Sequence, residues 1–269
     1  MTKLGTALIT GASSGMGAAY ADRLAKRGYD LVVVARNEQR LNALASRLTA
    51  ETGVKVDVLT ADLTSRGDVR RVEQRLRSDG SVTLLVNNAG MGTPRPVLSE
   101  DIDWLEGVIE LNVVAAHRLA VAAAQVFAAR GRGGIINLSS IAALHPEKTN
   151  ATYSASKAFI LNLTQSLHTE AGPKGVRLQV VLPGATRTEF FNRFGVSIDS
   201  RFPPGMIMEA TDLVDAALAG FDQGELVTIP SLPDMKDWET FVAARLALDP
   251  NLSHSKPAPR YGPTKTEGS

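Results

Sequence analysis

Tyr153-Ser154-Ala155-Ser156-Lys157 sets a phenol and an ammonium four positions apart. On a helix these two positions share a face, so both side chains can point into one cleft. Free tyrosine titrates near 10, so a base useful near neutrality needs a drop of about 3 units, or about 4 kcal/mol. One cation about 4 Å away at an effective dielectric of about 20 supplies about 4 kcal/mol. Lys157 is therefore of the right order to make Tyr153 a general acid–base at a carbonyl or alcohol oxygen. The same spacing also arises as a plain surface pair, and the surrounding residues separate the two cases. Ile136-Asn137-Leu138-Ser139-Ser140 ends a strand upstream, at an interval that brings a strand end and a helix start into one cleft. The Ser140 hydroxyl could polarise a substrate carbonyl there.

A second constellation is Thr10-Gly11-Ala12-Ser13-Ser14-Gly15-Met16-Gly17. It joins an apolar run ending in Leu8-Ile9-Thr10 to a helix-like stretch. Glycines permit a tight turn and close approach of a pyrophosphate, and the helix start offers unpaired N–H groups and a positive dipole end. The spacing is Gly-x-x-x-Gly-x-Gly rather than the Gly-x-Gly-x-x-Gly of the usual dinucleotide fingerprint. The same residues also fit a Gly-x-Ser-x-Gly hydrolase elbow with Ser13 as nucleophile, but that elbow normally follows several strands rather than the first.

Dinucleotide sites selective for NAD place a carboxylate at the end of the second strand. Here Asp30–Ala35 ends in alanine and is followed by Arg36 and Asn37. A guanidinium is placed to bind a 2′-phosphate, with Ser13 adding a hydroxyl and Arg40 a second cation one turn on. The expected cofactor is NADP(H).

The elements that position these groups alternate along the chain. Continuous apolar runs mark strands buried on both faces at Asp30–Ala35, Val54–Thr60, Leu84–Asn87, Ile135–Leu138, Arg177–Leu182 and Leu226–Ile229. Helical patterns lie between them at about Ala18–Arg27, Glu38–Thr49, Arg66–Arg77, Glu100–Ala129, Tyr153–Glu170 and Ala210–Gly220. This alternation predicts a right-handed, doubly wound parallel sheet. Residues 187–208, with Gly195, Gly205 and Pro203-Pro204, read as a substrate lid carrying one or two short helices. Phe190, Phe191, Phe194, Phe202, Met206 and Met208 make it apolar, and Met91, Leu144 and His145 are expected to face the same pocket. An extra helix at Met235–Leu248 and a tail rich in Ser, Lys, Pro, Gly and Thr follow.

Taken together, the chain resembles the short-chain dehydrogenase/reductases across about Lys3 to Ile229. The turn from Thr10 to Gly17, Asp62-Leu63, Asn87-Asn88-Ala89-Gly90, Asn112, Ser140, Tyr153 with Lys157, and Pro183-Gly184 carry the resemblance. It implies a single-domain Rossmann fold over residues 1–252, with about seven strands and helices on both faces, and a flexible tail over 253–269. It also implies that Asp62 and Leu63 border the adenine and that Asn88, Ala89 and Gly90 line the cofactor. Asn112 would sit at a break in its long helix and hold a water toward Lys157, which would bind the nicotinamide ribose. Pro183, Gly184, Thr186 and Thr188 would lie along the nicotinamide. Leu182 departs from the Asn found before this proline in many members of the family.

The 269 residues carry a formal net charge of +1, 44% hydrophobic and 5% aromatic residues, and no cysteine. No basic field or stacking platform points to nucleic acid. A disulfide scaffold, a thiolate nucleophile and a thiolate zinc site are excluded. No apolar leader precedes the first strand, and the apolar stretch around Leu119–Ala129 is too short to span a bilayer, so a cytoplasmic protein is expected. The expected activity is hydride transfer between nicotinamide and a small carbonyl or secondary alcohol, by a homodimer or homotetramer pairing through the two long helices. A non-catalytic NADP(H)-binding regulator is the alternative.

Overall fold

The computed structural model describes residues 4–93, 95–192, 195 and 197–262, apart from the side chains of residues 191 and 192. The chain divides into two units, Met1–Pro230 and Ser231–Ser269. The first opens with β1 (Thr6–Thr10), α1 (Gly15–Lys26), β2 (Asp30–Ala35), α2 (Glu38–Thr52), β3 (Val56–Thr60), α3 (Arg66–Ser78) and β4 (Val82–Asn87). One continuous helical stretch follows: α4 (Ile102–Ile109), a π-helical turn (Glu110–Ala115) and α5 (Ala116–Arg130). Then come β5 (Gly133–Leu138), α6 (Ala151–Ala171) and β6 (Val176–Val181). The unit closes with β7 (Thr186–Arg187), α7 (Glu189–Asn192), β8 (Met208–Glu209), α8 (Ala210–Gln223) and β9 (Val227–Thr228).

Among the described residues, seven parallel strands form one sheet in the order β3-β2-β1-β4-β5-β6-β9. Alternate strand residues face opposite helix layers. Ile9, Val33, Val86 and Ile136 pack with Leu24, Leu41 and Leu213 from α1, α2 and α8. Leu8, Val32, Leu85 and Ile135 pack with Leu76 of α3 and with Leu119 and Phe127 of α5. Fully burying one such aliphatic side chain contributes about 1.5–3 kcal/mol, so both faces of the apolar runs favour this sheet. The strand order reverses between β1 and β4, which leaves a crevice at their carboxyl ends.

A buried polar chain fixes the other side of that crevice. The Asn87 amide donates to the Ala116 carbonyl at 2.8 Å and to Asn137 Oδ1 at 3.2 Å. Asn137 donates to Thr164 Oγ1 at 2.9 Å, and that hydroxyl donates to the Ile160 carbonyl at 2.7 Å. The chain ties β4, β5, α5 and α6 together with partners for each buried group.

Several boundaries differ from the sequence reading. The helix expected from Ala18 begins at Gly15, because the glycine turn is shorter than its glycine spacing suggests. The break expected at Asn112 is a π turn that keeps the helix continuous. Within residues 187–208 a parallel pair not foreseen, β7 with β8, joins the ends of the segment. Arg187 adds ion pairs to Asp199 and Glu209, both at 2.9 Å. By length and composition the stretch Ile102–Arg130 is apolar enough to cross a membrane, contrary to the shorter window read from sequence. Half of its most apolar window is buried inside the protein.

The sheet is complete at Thr228, and the helix that follows has no buried residue. In the second unit α9 (Met235–Leu246) is capped by Asp234, whose carboxylate accepts the Lys236 N–H at 2.9 Å. Trp238 and Phe241 stack on its surface with ring centres 5.3 Å apart. Short turns at Asp249–Asn251 and Pro259–Tyr261 follow. The expected tail beyond residue 262 lies outside the described residues.

Candidate active site

The turn from β1 to α1 is built for close approach. Gly11 has φ +69°, in the region that favours glycine, and a Cβ there would lie 2.8 Å from Asn88 Nδ2. A Cβ on Gly17 would lie 2.2 Å from the Gly11 carbonyl oxygen. The turn and the first turn of α1 are thus pressed together, with Ser13, Ser14, Gly15 and Met16 between them. Ser14 caps α1 in extended geometry without a side-chain hydrogen bond, and no acidic residue occupies the first turn. The N–H groups and dipole of this helix start can therefore receive a phosphate. Asn88 braces the turn by donating to the Thr10 carbonyl at 2.9 Å, while Thr10 Oγ1 accepts from the Asn88 and Ala89 N–H groups, both at 2.9 Å. The methyl of Thr188 lies over Gly15. These features fit a dinucleotide's pyrophosphate at the β1/β4 crevice.

At the end of β2, Arg36 is 66% exposed and approaches Asp62 only to 4.0 Å. Asn37 is the N-cap of α2, its Oδ1 accepting the Arg40 N–H at 2.9 Å. Arg40 does not stand beside Arg36 as a second free cation. Its guanidinium bonds Glu189 of α7 at 2.7 Å, because an opposite charge lies within reach. Burial raises the Asp62 carboxyl, but hydrogen bonds from the Thr64 N–H and hydroxyl, with the Arg36 charge, hold it below its ordinary value. Leu63 is buried in the core cluster of α3 and α5.

The candidate catalytic residues gather where β5 ends and α6 begins. Asn150 caps α6 by accepting the Thr152 and Tyr153 N–H groups at 2.9 and 3.3 Å, which sets the helix phase at Tyr153. Ser139 Oγ donates to the Lys157 carbonyl at 2.7 Å, and Ser154 Oγ to the Ala142 carbonyl at 2.8 Å, locking α6 against β5 and the turn after it. Ser140 Oγ accepts the Ala142 N–H at 3.1 Å and donates to the Pro183 carbonyl at 3.4 Å. Burial pushes the Tyr153 phenol above its ordinary value, and a hydrogen bond with Ser140 pulls against that rise. Lys157 is 6% exposed, and this desolvation brings its ammonium down to about 8. Its Nζ donates to the Leu138 carbonyl at 3.0 Å and stands 5.8 Å from the centre of the Tyr153 ring. The expectation that the Lys157 charge lowers the phenol therefore needs correcting. In the protein's own field burial wins, and the phenol holds its proton more tightly than free tyrosine does.

Asn112 is 1% exposed in the π turn. Its Oδ1 accepts the Met91 N–H at 2.9 Å, and its Nδ2 donates to the Met91 carbonyl at 2.8 Å and to Ser156 Oγ at 3.1 Å. Asn112 Oδ1 and Lys157 Nζ both lie 3.3 Å from the position of a Cβ on Gly90, so only glycine leaves both in place. On the opposite wall Thr186 Oγ1 turns back to the Gly184 carbonyl at 3.0 Å, and Thr188 Oγ1 accepts the Phe190 N–H at 3.3 Å.

Sequence reasoning brought the four catalytic candidates to one place but missed the residues that hold them. Asn150 carries an N-cap signal three positions before Tyr153 and was legible. Gly92 and Trp104 carry no local signal, since the hydrogen bond between them and the contact of Gly92 with Phe190 span distant segments. Of the lid aromatics, Phe190 reaches the site, with its ring centre 6.0 Å from that of Tyr153. Phe194 and the side chain of Phe191 lie outside the described residues.

Residues 5–196 match the family described as short chain dehydrogenase. A short-chain dehydrogenase from Sphingobium yanoikuyae in complex with NADPH is 46% identical, with a TM-score of 0.92 over 96% of this chain and 100% of that one. The bulky-bulky ketone specific alcohol dehydrogenase from Comamonas testosteroni is 45% identical, with a TM-score of 0.90 over 97% of this chain and 100% of that one. An uncharacterized oxidoreductase from Staphylococcus epidermidis is 30% identical over 83% of this chain and 93% of its own length.

Proposed function

The chain belongs to the short-chain dehydrogenase family of oxidoreductases, and from that premise we propose that it is an NADP(H)-dependent carbonyl reductase that can also oxidise secondary alcohols. The observation that carries the reading is the placement of Tyr153, hydrogen-bonded to Ser140 with the Lys157 ammonium beneath its ring, in a chain whose first βα turn is shaped for pyrophosphate. When bound, the nicotinamide supplies the hydride for reduction or takes it up in oxidation. Tyr153 gives its proton to the carbonyl oxygen as the carbinol forms, and its raised pKa keeps that proton available through neutral pH. The Ser140 hydroxyl, turning from the Pro183 carbonyl, donates a hydrogen bond to the same oxygen and holds it within reach of the phenol. The Lys157 charge steadies the phenolate left behind.

Selection of NADP(H) over NAD(H) rests on Ala35 and Arg36, which leave no carboxylate against a 2′-phosphate and one exposed guanidinium beside it. The NADPH complex of the Sphingobium relative supports this choice. The Comamonas relative, specific for bulky-bulky ketones, and the apolar ring of Phe190 beside Tyr153 favour a ketone with apolar substituents. Exposed Ile109, Val114 and Phe159 on the long helices support a homo-oligomer that would cover them. The non-catalytic alternative leaves the gathering of Asn112, Ser140, Tyr153 and Lys157 without a purpose.

The test is a panel of ketones and aldehydes with NADPH and with NADH, run alongside nucleotide binding. Turnover faster with NADPH is expected. Tight NADPH binding with no turnover across the panel would return the non-catalytic reading.

A further inference from the structure

Gly92 is buried, and the space where its Cβ would stand belongs to an aromatic ring. Phe190 Cζ lies 2.1 Å from that position, with Cε1 at 2.8 Å and Cε2 at 3.1 Å. Any side chain on residue 92 would have to displace the ring. The seat is held from both sides. The Gly92 carbonyl accepts the Trp104 Nε1–H at 3.1 Å, and the preceding peptide of Met91 is gripped at both its N–H and its carbonyl by Asn112. The occupant is aimed as well: the Phe190 N–H donates to Thr188 Oγ1, and the Phe190 ring is tilted 54° to that of Tyr153 at 6.0 Å between centres. A single rigid frame therefore runs from Asn112 through Met91 and Gly92 to an aromatic wall next to the proton donor.

We propose that Phe190, seated on the bare Cα of Gly92, is the specificity-determining wall of the substrate pocket and selects carbonyl compounds carrying a flat aryl group on that flank. This rests on the carbonyl-reductase reading above. A substrate oxygen that reaches Tyr153 and Ser140 must place one of its two flanking groups toward this ring. A planar ring can lie edge-on or offset against Phe190 at ordinary aromatic separations. A puckered saturated ring of equal carbon count forfeits that geometry.

The experiment compares kcat/KM for acetophenone and for cyclohexyl methyl ketone with NADPH, in the wild type, Phe190→Ala, Phe190→Leu, Gly92→Ala and the Gly92→Ala/Phe190→Ala double variant. NADPH affinity is measured for each. The preference for acetophenone is expected to fall about tenfold in Phe190→Ala, the size of one aromatic contact. It should fall similarly in Phe190→Leu, which keeps apolar bulk, and in Gly92→Ala, with NADPH affinity unchanged. The double variant should be no worse than Phe190→Ala, since the glycine acts only through the ring. An unchanged preference in a Phe190→Ala enzyme that still reduces both ketones would overturn the assignment, as would additive effects in the double variant. If Gly92→Ala does not fold, the two Phe190 variants decide. A wild type that binds NADPH and reduces other carbonyl compounds but not acetophenone would overturn this inference alone, and one that binds NADPH and reduces none of the panel would overturn the function reading with it.

Discussion

The Lys157 ammonium sits 5.8 Å from the centre of the Tyr153 ring and gives its hydrogen bond to the Leu138 carbonyl. The pair is thus arranged as cation beneath phenol, anchored to the end of β5, with the phenol hydrogen-bonded to Ser140. The position of Lys157 is set by backbone rather than by the tyrosine.

That arrangement fixes the pH dependence of the two directions. Reduction needs Tyr153 protonated and Lys157 charged. Burial raises the phenol and lowers the ammonium to about 8, so both conditions hold below about 8. In steady-state profiles kcat/KM for ketone reduction should be level up to about pH 8 and then fall about tenfold per unit as Lys157 loses its proton. Oxidation of the alcohol needs the phenolate, which burial disfavours, so its rate should rise only at higher pH than the range in which reduction falls.

Lys157 also carries a stability cost with a definite sign. Its folded pKa of about 8 lies below the ordinary 10.5, so between these values the unfolded chain holds more protons and stability rises with pH. A shift of this size corresponds to about 3 kcal/mol for a group this buried. Relative to Lys157→Met, the wild type should gain about that much unfolding free energy from pH 8 to pH 10.5, read by urea melts at each pH. Equal pH slopes for the two proteins would contradict the depressed pKa.

Arg36 should decide the cofactor. Its 4.0 Å approach to Asp62 is a weak surface contact, so a 2′-phosphate can take the guanidinium. Arg36→Ala should weaken NADPH binding about 10- to 100-fold, the range of one charge-assisted hydrogen-bonded contact, and leave NADH binding unchanged. Parallel titrations by nucleotide fluorescence measure both.

Much of the fold was legible because apolar runs and glycine punctuation are local. The strands at Asp30–Ala35 and Ile135–Leu138 and the turn at Gly11–Gly17 needed no tertiary information. The candidate catalytic residues were found through motif spacing: Ser140, Tyr153 and Lys157 converge at one strand end, and Asn112 lies in a π turn beside them. The direction of the Tyr153 pKa was not legible, since it depends on burial balanced against charge, and neither is visible in a spacing. Arg40 was misjudged because Glu189, 149 positions away in sequence, claims it. The Phe190 seat was hidden for the same reason, as Gly92 and Phe190 meet only after the sheet has formed.

The most direct test of the central claim is NADPH oxidation by the wild type and by Tyr153→Phe with a ketone that the wild type reduces, with NADPH affinity measured on both. Removing one hydroxyl should cut turnover by about 10²–10⁴-fold, the usual contribution of a positioned general acid, and leave NADPH affinity unchanged. A Tyr153→Phe enzyme that reduces the ketone at the wild-type rate would contradict the account.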